Sequence, residues 1–317
     1  MSDAVKPLLG LHHVTAIAGD AQRNLDFYVK GLGLRFVKRT VNFDDPSAYH
    51  LYYGDEVGSP GTALTFFPFP GAQPGRIGSG EVALTQFSVP AGALDFWAAR
   101  LPAHGATVLA RETVFDEERL IAVDPDGLPI ALVVPAQEDA RAPWSTEEID
   151  ETVAVRGFHG ATLALRETES TAAILTELFG YQEVGTTAFA GGQLTRFAAE
   201  GPAGVIDLHA MPDLGRGEPG YGTVHHIAFR TPNRETQAAL RERIQAAGHQ
   251  VTPSIDRDYF HAIYFRTPGG VLFEVATDEP GFERDEPRES LGRSLKLPSR
   301  YEPHRAAIES RLPPLTL

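Results

Sequence analysis

The chain has 317 residues, 42% hydrophobic and 22% charged, which is enough for two compact globular domains. A formal net charge of -14 argues against nucleic acid or an anionic membrane as partner and favours a small molecule. The lack of cysteine excludes disulfides, thiolate zinc sites and thiol nucleophiles. The start, Met1 to Pro7, has neither the basic nor the apolar part of a signal peptide, and no apolar run approaches a membrane span, so a cytoplasmic location is expected.

Residues 10–17 read as a strand carrying His12 and His13. Asp20 is placed to cap a helix in which Leu25, Tyr28, Val29 and Leu32 recur at helical spacing. Residues 34–41 alternate apolar and polar side chains, and 48–53 and 62–68 are further strand candidates, which completes a βαβββ unit. Beyond the Gly/Pro-rich stretch 70–80 a second unit opens with a strand at 82–89. Its helix holds Leu94, Trp97, Ala98 and Leu101, and its last strand falls at 124–133. Residues 137–154 are polar, acidic and interrupted by Pro143, as in a linker.

A third unit starts at 158–163, with His159, and places Ile174, Leu175, Leu178 and Phe179 on its helix. The fourth starts at Val224 with His225 and His226, continues through a helix with Leu240, Ile244 and Ala247, and ends on the apolar run 269–276, interrupted by Glu274. The expected architecture is α+β: four βαβββ modules paired into two domains, each a curved eight-stranded mixed sheet enclosing a cavity. In this reading residues 8–136 form an N-terminal pair of modules, 137–154 the linker, 155–279 a C-terminal pair and 280–317 a tail. The tail, rich in charge and proline with a short helix near His304 to Arg311, could cover a cavity, pack on a domain or join a homo-oligomer.

Strand alternation allows one histidine of each pair to face a given cavity, and grouping Leu11, His13 and Thr15 on one face selects His13 and His226. A carboxylate inside an apolar strand is costly without a partner, and two imidazoles with one carboxylate are the ligand set of a non-haem Fe(II) facial triad. Aligning the units on their glycines sets Ala131 and Leu208 opposite Glu274 and His159 opposite His226, so the fold itself does not require an acid there. His159 reads as a satisfied polar residue, and His159, Asp207 and His209 as a weaker rival site. Thr15, His12 and His225 are candidates for orienting the ligands or lining the cavity. Tyr264, one strand away from Glu274, could hydrogen-bond a substrate oxygen.

The segments Leu11-His12-His13-Val14-Thr15, Tyr49-His50-Leu51-Tyr52-Tyr53, His225-His226, and Arg266-Thr267-Pro268-Gly269-Gly270 with Glu274 resemble the vicinal oxygen chelate superfamily. The nearest resemblance is to its ring-cleaving dioxygenases of the hydroquinone dioxygenase type. That resemblance implies iron held by His13, His226 and Glu274, catalytic roles for His225, Tyr264 and His12, and substrate contacts from Thr15 and Arg257. The spacing Asp256-Arg257-Asp258-Tyr259-Phe260 is tighter than the family's, which leaves the register of Arg257 open. The implied activity is Fe(II)-dependent insertion of both atoms of O2 into an aromatic diol, a hydroquinone first, with Mn(II) as the other metal to consider. The alternatives are an extradiol catechol dioxygenase, a glyoxalase-type lyase or isomerase, which often uses a second carboxylate ligand, and a non-catalytic binding protein, which needs no complete triad.

Overall fold

A computed structural model describes residues 7–317, so all but the last residue of the stretch Met1 to Pro7 lies outside the described residues. The first unit comprises β1 (Leu11–Ala18), α1 (Ala21–Asp26) continued by a π-helical turn (Phe27–Gly31), β2 (Arg35–Val41), β3 (Tyr49–Gly54) and β4 (Ala63–Pro68). The second comprises β5 (Glu81–Ser88), α2 (Leu94–Ala103), β6 (Thr107–Val114), β7 (Glu117–Val123) and β8 (Pro129–Val133). The third runs β9 (Gly157–Leu165), α3 (Glu169–Ala173) with a second π-helical turn (Ile174–Leu178), β10 (Gln182–Phe189), β11 (Gly192–Ala198) and β12 (Val205–Ala210). The fourth runs β13 (Thr223–Thr231), α4 (Arg234–Ala246), β14 (Ile255–Asp256), β15 (Phe260–Arg266) and β16 (Leu272–Pro280); α5 (Arg305–Glu309) lies in the tail.

Local chemistry sets these boundaries. Asp20 caps α1 by accepting from the Arg23 amide at 2.7 Å. β8 begins only at Pro129, because Asp124 folds the preceding residues into a turn, its Oδ1 accepting from the amides of Asp126 and Leu128 at 2.8 Å each. Among the described residues no helix is long and apolar enough to cross a membrane.

The strands form two eight-stranded mixed sheets, ordered β14-β15-β16-β13-β1-β4-β3-β2 and β10-β11-β12-β9-β5-β8-β7-β6. This corrects the expected pairing of consecutive units: the first unit pairs with the fourth and the second with the third, so neither 8–136 nor 155–279 is a domain. Each unit offers the open edge of its first strand. β1 joins β13 and β5 joins β9, both antiparallel. The chain changes sheet at the Gly/Pro-rich stretch 70–80 and returns through 211–222. These two crossings run together, bridged at Pro74 with Tyr221, Arg76 with Glu218 and Ser79 with Arg216. Residues 137–154 instead connect two units of one sheet and are packed down, with Ile149 buried and Val153 accepting from the Trp97 indole at 2.9 Å.

The tail packs on the first unit. Lys38 on β2 is fully buried, and its Nζ meets Asp285 and Glu286 at 2.6 Å each. Ile308 and Leu312 join the main apolar core, while Phe282 and Leu291 pack with Val37, Tyr52 and Tyr259 in a smaller cluster.

The concave side of the second sheet holds a closed ionic network. Arg196 donates from Nε and Nη2 to Asp207 at 2.8 and 3.0 Å and from Nη1 to Glu117, which also meets His159 Nε2 at 3.0 Å. Asp207 pairs with Thr162 across β9 as Glu274 pairs with Ala228 across β13, so Asp207, not Leu208, occupies the position of Glu274. The same register sets His159 at the place of His225 and Gly160 at that of His226. The rival site therefore has its acid neutralised by a guanidinium, and His209 turns away to meet the Phe189 carbonyl at 3.1 Å.

Burial pushes the Glu117 carboxyl up, but His159 and Arg196 outweigh it and bring it to about 2 from an ordinary 4.5. Its stabilisation is therefore present above pH 4.5 and is lost as the pH falls through 2. Glu117→Gln should cost about 3 kcal/mol at neutral pH, since it leaves Arg196 under-compensated. It should also flatten the acid limb of stability between those two pH values, read by urea unfolding at a series of pH values.

Candidate metal centre

Both His-His pairs sit on β-bulges where β1 meets β13. Leu11 pairs with Phe229 but His13 with Ala228, so His12 is the extra residue. Thr15 pairs with His226 but Ala16 with Val224, so His225 is the other. A bulge lets two successive side chains point to one side of a strand. The rings of each pair consequently touch, Nδ1 to Nδ1, at 2.9 Å for His12 and His13 and 2.7 Å for His225 and His226. Simple alternation breaks here, and Leu11 lies in the apolar core instead of beside His13.

His13, His226 and Glu274 converge. The Nε2 atoms of His13 and His226 lie 3.3 and 2.9 Å from Glu274 Oε2 and 3.4 Å from each other. One donor atom from each of the three falls within 4.8 Å of the others, and all three residues are buried. Neither Glu274 oxygen has a hydrogen-bond partner of good geometry, although the carboxylate is wholly buried. Burial raises this carboxyl, and His13 and His226 bring it below its ordinary range only with a proton on Nε2, the place that a bound cation would take. A buried carboxylate without donors, faced by two imidazole nitrogens, fits a divalent cation at the point of convergence.

The outer histidines meet the inner ones at Nδ1. Burial, the largest cause, lowers both His12 and His225 from 6.5 to about 3, so each is neutral near pH 7. Each Nδ1 can then accept the Nδ1–H of its neighbour, which leaves the Nε2 lone pairs of His13 and His226 free for a metal.

These groups open into a cavity of about 340 Å³ whose lining includes His50, Tyr52, Phe67, His225, Arg257 and Tyr264. Tyr264 pairs with Glu274 across β15 and β16. Burial and then Glu274 raise its phenol, which keeps the proton. Arg257 Nε donates to the Tyr264 hydroxyl at 3.2 Å, its guanidinium lies 5.3 Å over that ring, and Nη1 pairs with Asp44 at 3.2 Å. The register of Arg257, open from the sequence, is thereby placed on the cavity wall.

Two expected residues stand elsewhere. Thr15 is fully buried and bonds Thr65 Oγ1 at 2.8 Å, so it does not line the cavity to meet substrate. His12 stands behind His13 and is likewise no part of the lining. Sequence reasoning gave no role to His50 and Tyr52, although their spacing of two residues on β3 puts them on one face. His50 Nε2 meets Thr65 Oγ1 and its Nδ1 meets the Tyr52 hydroxyl, both at 2.8 Å. The tail supports this wall from outside: Arg300 and Tyr301 both donate to the carbonyl of Phe43, another lining residue.

A family model described as Glyoxalase/Bleomycin resistance protein/Dioxygenase superfamily matches residues 10–132 and 157–275. The chain is 46% identical to MhqO of Bacillus subtilis over 98% of this chain and 97% of that protein, and MhqO carries a provisional assignment as a ring-cleaving dioxygenase. It is 34% identical to the chlorohydroquinone/hydroquinone 1,2-dioxygenase of Sphingobium indicum over 92% of each. A crystal structure of a Bacillus subtilis protein provisionally described as a dioxygenase matches with a TM-score of 0.93 at 45% identity, covering 98% of this chain and 99% of that one. Glyoxalase I from Zea mays, at 14% identity and a TM-score of 0.63 over 85% of this chain and 92% of its own, shares the fold alone. With the two sheets and the two histidine pairs of the first, these matches identify the chain as a member of the glyoxalase/bleomycin resistance protein/dioxygenase superfamily, within its ring-cleaving dioxygenases.

Proposed function

We propose that the protein cleaves the ring of an aromatic diol of the hydroquinone type, with Fe(II) held by His13, His226 and Glu274 and both atoms of O2 entering the product. The observation that carries this reading is the fully buried Glu274 carboxylate, free of hydrogen-bond donors and facing two imidazole Nε2 atoms at the end of a partly aromatic cavity. Bound iron would supply open coordination positions for diol and oxygen and a redox path between them. Two neutral imidazoles and one carboxylate leave a dication net positive, which favours binding a diol as its phenolate.

The chain's own groups then divide the work. Tyr264 offers its hydroxyl proton to a substrate or oxygen-derived atom, and Arg257 orients that phenol from the side of Asp44. His225 accepts at Nδ1 and so keeps its remaining proton on Nε2, available on the cavity wall. His50 has both ring nitrogens engaged and shapes the wall without moving a proton. The glyoxalase-type alternative calls for a second carboxylate among the ligands. Among the described residues the converging group holds one, and Asp44 is tied to Arg257.

Glu274→Gln should weaken Fe(II) or Mn(II) uptake by at least about 100-fold in equilibrium dialysis, with the fold retained by circular dichroism. After anaerobic Fe(II) reconstitution, wild type should consume oxygen with hydroquinone or methylhydroquinone faster than with catechol and release a ring-opened product, while His226→Ala should do neither. Stoichiometric metal without uptake on any of the three diols would overturn the ring-cleavage reading. Tyr264→Phe should keep its iron and lose about 100-fold in kcat; equal loss of metal and turnover would instead make the phenol a structural group.

A further inference from the structure

Beside the diol cavity lies a larger one of about 710 Å³, at the junction of the two sheets. The two cavities share a wall made by His225, His226 and Leu272. Three arginines, Arg166, Arg216 and Arg266, line the larger cavity. Among the described residues none of them has a carboxylate partner. Arg166 Nε donates to the Leu214 carbonyl at 2.8 Å and Arg266 Nη1 to the Gly270 carbonyl at 2.6 Å, while the Arg216 side chain makes no hydrogen bond. Asp and Glu outnumber Lys and Arg in this chain by 42 to 28, so unpaired guanidinium groups gathered round one cavity run against its charge balance. One acid lines the same cavity, Glu81. Its Oε2 is buried without a donor, and burial pushes its carboxyl up against the pull of Arg76.

Ring cleavage changes the charge of the substrate. The carbon–carbon bond beside a hydroxyl-bearing carbon breaks, and each new end takes one atom of O2. The hydroxyl-bearing carbon becomes a carboxylic acid and its neighbour, in unsubstituted hydroquinone, an aldehyde. The ring is the reductant and O2 the oxidant, so no further co-reactant is needed. A neutral diol therefore leaves as an anion once the acid gives its proton to water. The diol cavity matches its one arginine with Asp44, whereas the adjoining cavity has guanidinium groups in excess.

We infer that the larger cavity, which adjoins the diol cavity at His225, His226 and Leu272, is a carboxylate-binding chamber for the ring-opened acid. The inference rests on the ring-cleavage reading. Diol enters on the side of Asp44 and Arg257, and the acid departs past Arg216 and Arg266.

The probe is cis,cis-muconate, a stable ring-opened dicarboxylate, titrated calorimetrically into the protein with and without its metal. Wild type should bind it in both forms, more weakly as salt rises. Arg216→Gln with Arg266→Gln should weaken binding by about tenfold, and lysine at both positions should restore most of it. No binding to wild type, binding that requires the metal, equal binding by the double variant, or loss on Arg257→Gln alone would each overturn the chamber. Oxygen uptake decides the other question separately. Absent uptake with intact, arginine-dependent muconate binding removes the ring-cleavage reading and keeps an anion site, whereas normal uptake with arginine-independent binding removes the chamber alone.

Discussion

An ionised carboxylate sealed from water with no donor to meet it is among the costliest arrangements a protein can hold, and Glu274 is held in that way. The rest of the first sheet is arranged about this constraint. Its two central strands each carry a bulge, and the bulges aim His13 and His226 at the same oxygen while turning His12 and His225 in behind them. The outer imidazoles are neutral, and each meets its inner ring at Nδ1, so a proton shared there couples the two rings of a pair. The site is thus set up in three layers before any metal arrives: the carboxylate, the imidazoles facing it, and the imidazoles behind those.

The second sheet meets the same constraint differently. Asp207 stands at the position of Glu274, but Leu84 and Gly160 replace the two ligand imidazoles, and Arg196 reaches in from the strand position of Tyr264. A guanidinium covalently part of the chain supplies a positive charge that no guanidinium brings to Glu274. One backbone frame therefore supports either a closed ionic network or an open centre, and two or three side chains decide between them.

Much of this was legible in the sequence, because the decisive residues combine unusual chemistry with a repeat. The doubled histidines, the single acid in an apolar strand and the capping Asp20 all stand where their patterns place them. What the sequence hid has physical causes. Strand order is a long-range property: 8–136 has the composition of a domain, yet the first strand of each unit pairs with one far away, and nothing local near 70–80 announces that the chain changes sheet there. A bulge shifts alternation by one residue, which misplaced Leu11. The unit alignment ran one residue out, to Leu208 and His226 where the register gives Asp207 and His225, because glycine positions in the turns do not fix strand register. Thr15 carries the right parity for the cavity but is covered by Thr65, and cover by a neighbouring strand leaves no trace in spacing.

The nested strand order also bears on how the molecule is made. The second sheet has all its strands once residue 210 leaves the ribosome, whereas the first sheet, whose opening strand emerges before any other, waits for residues 223–280. Until then the β1 edge has no β13 beside it, and Lys38 lacks the acids, 247 and 248 residues away in sequence, that neutralise it in the finished fold. The strand order thus allows the middle of the chain to complete its sheet first, while the cavity at Glu274 has all its strands only near the end of synthesis. A nascent chain stopped anywhere short of Glu274 lacks the carboxylate that His13 and His226 face, so the three converge only in a polypeptide synthesised almost to its end.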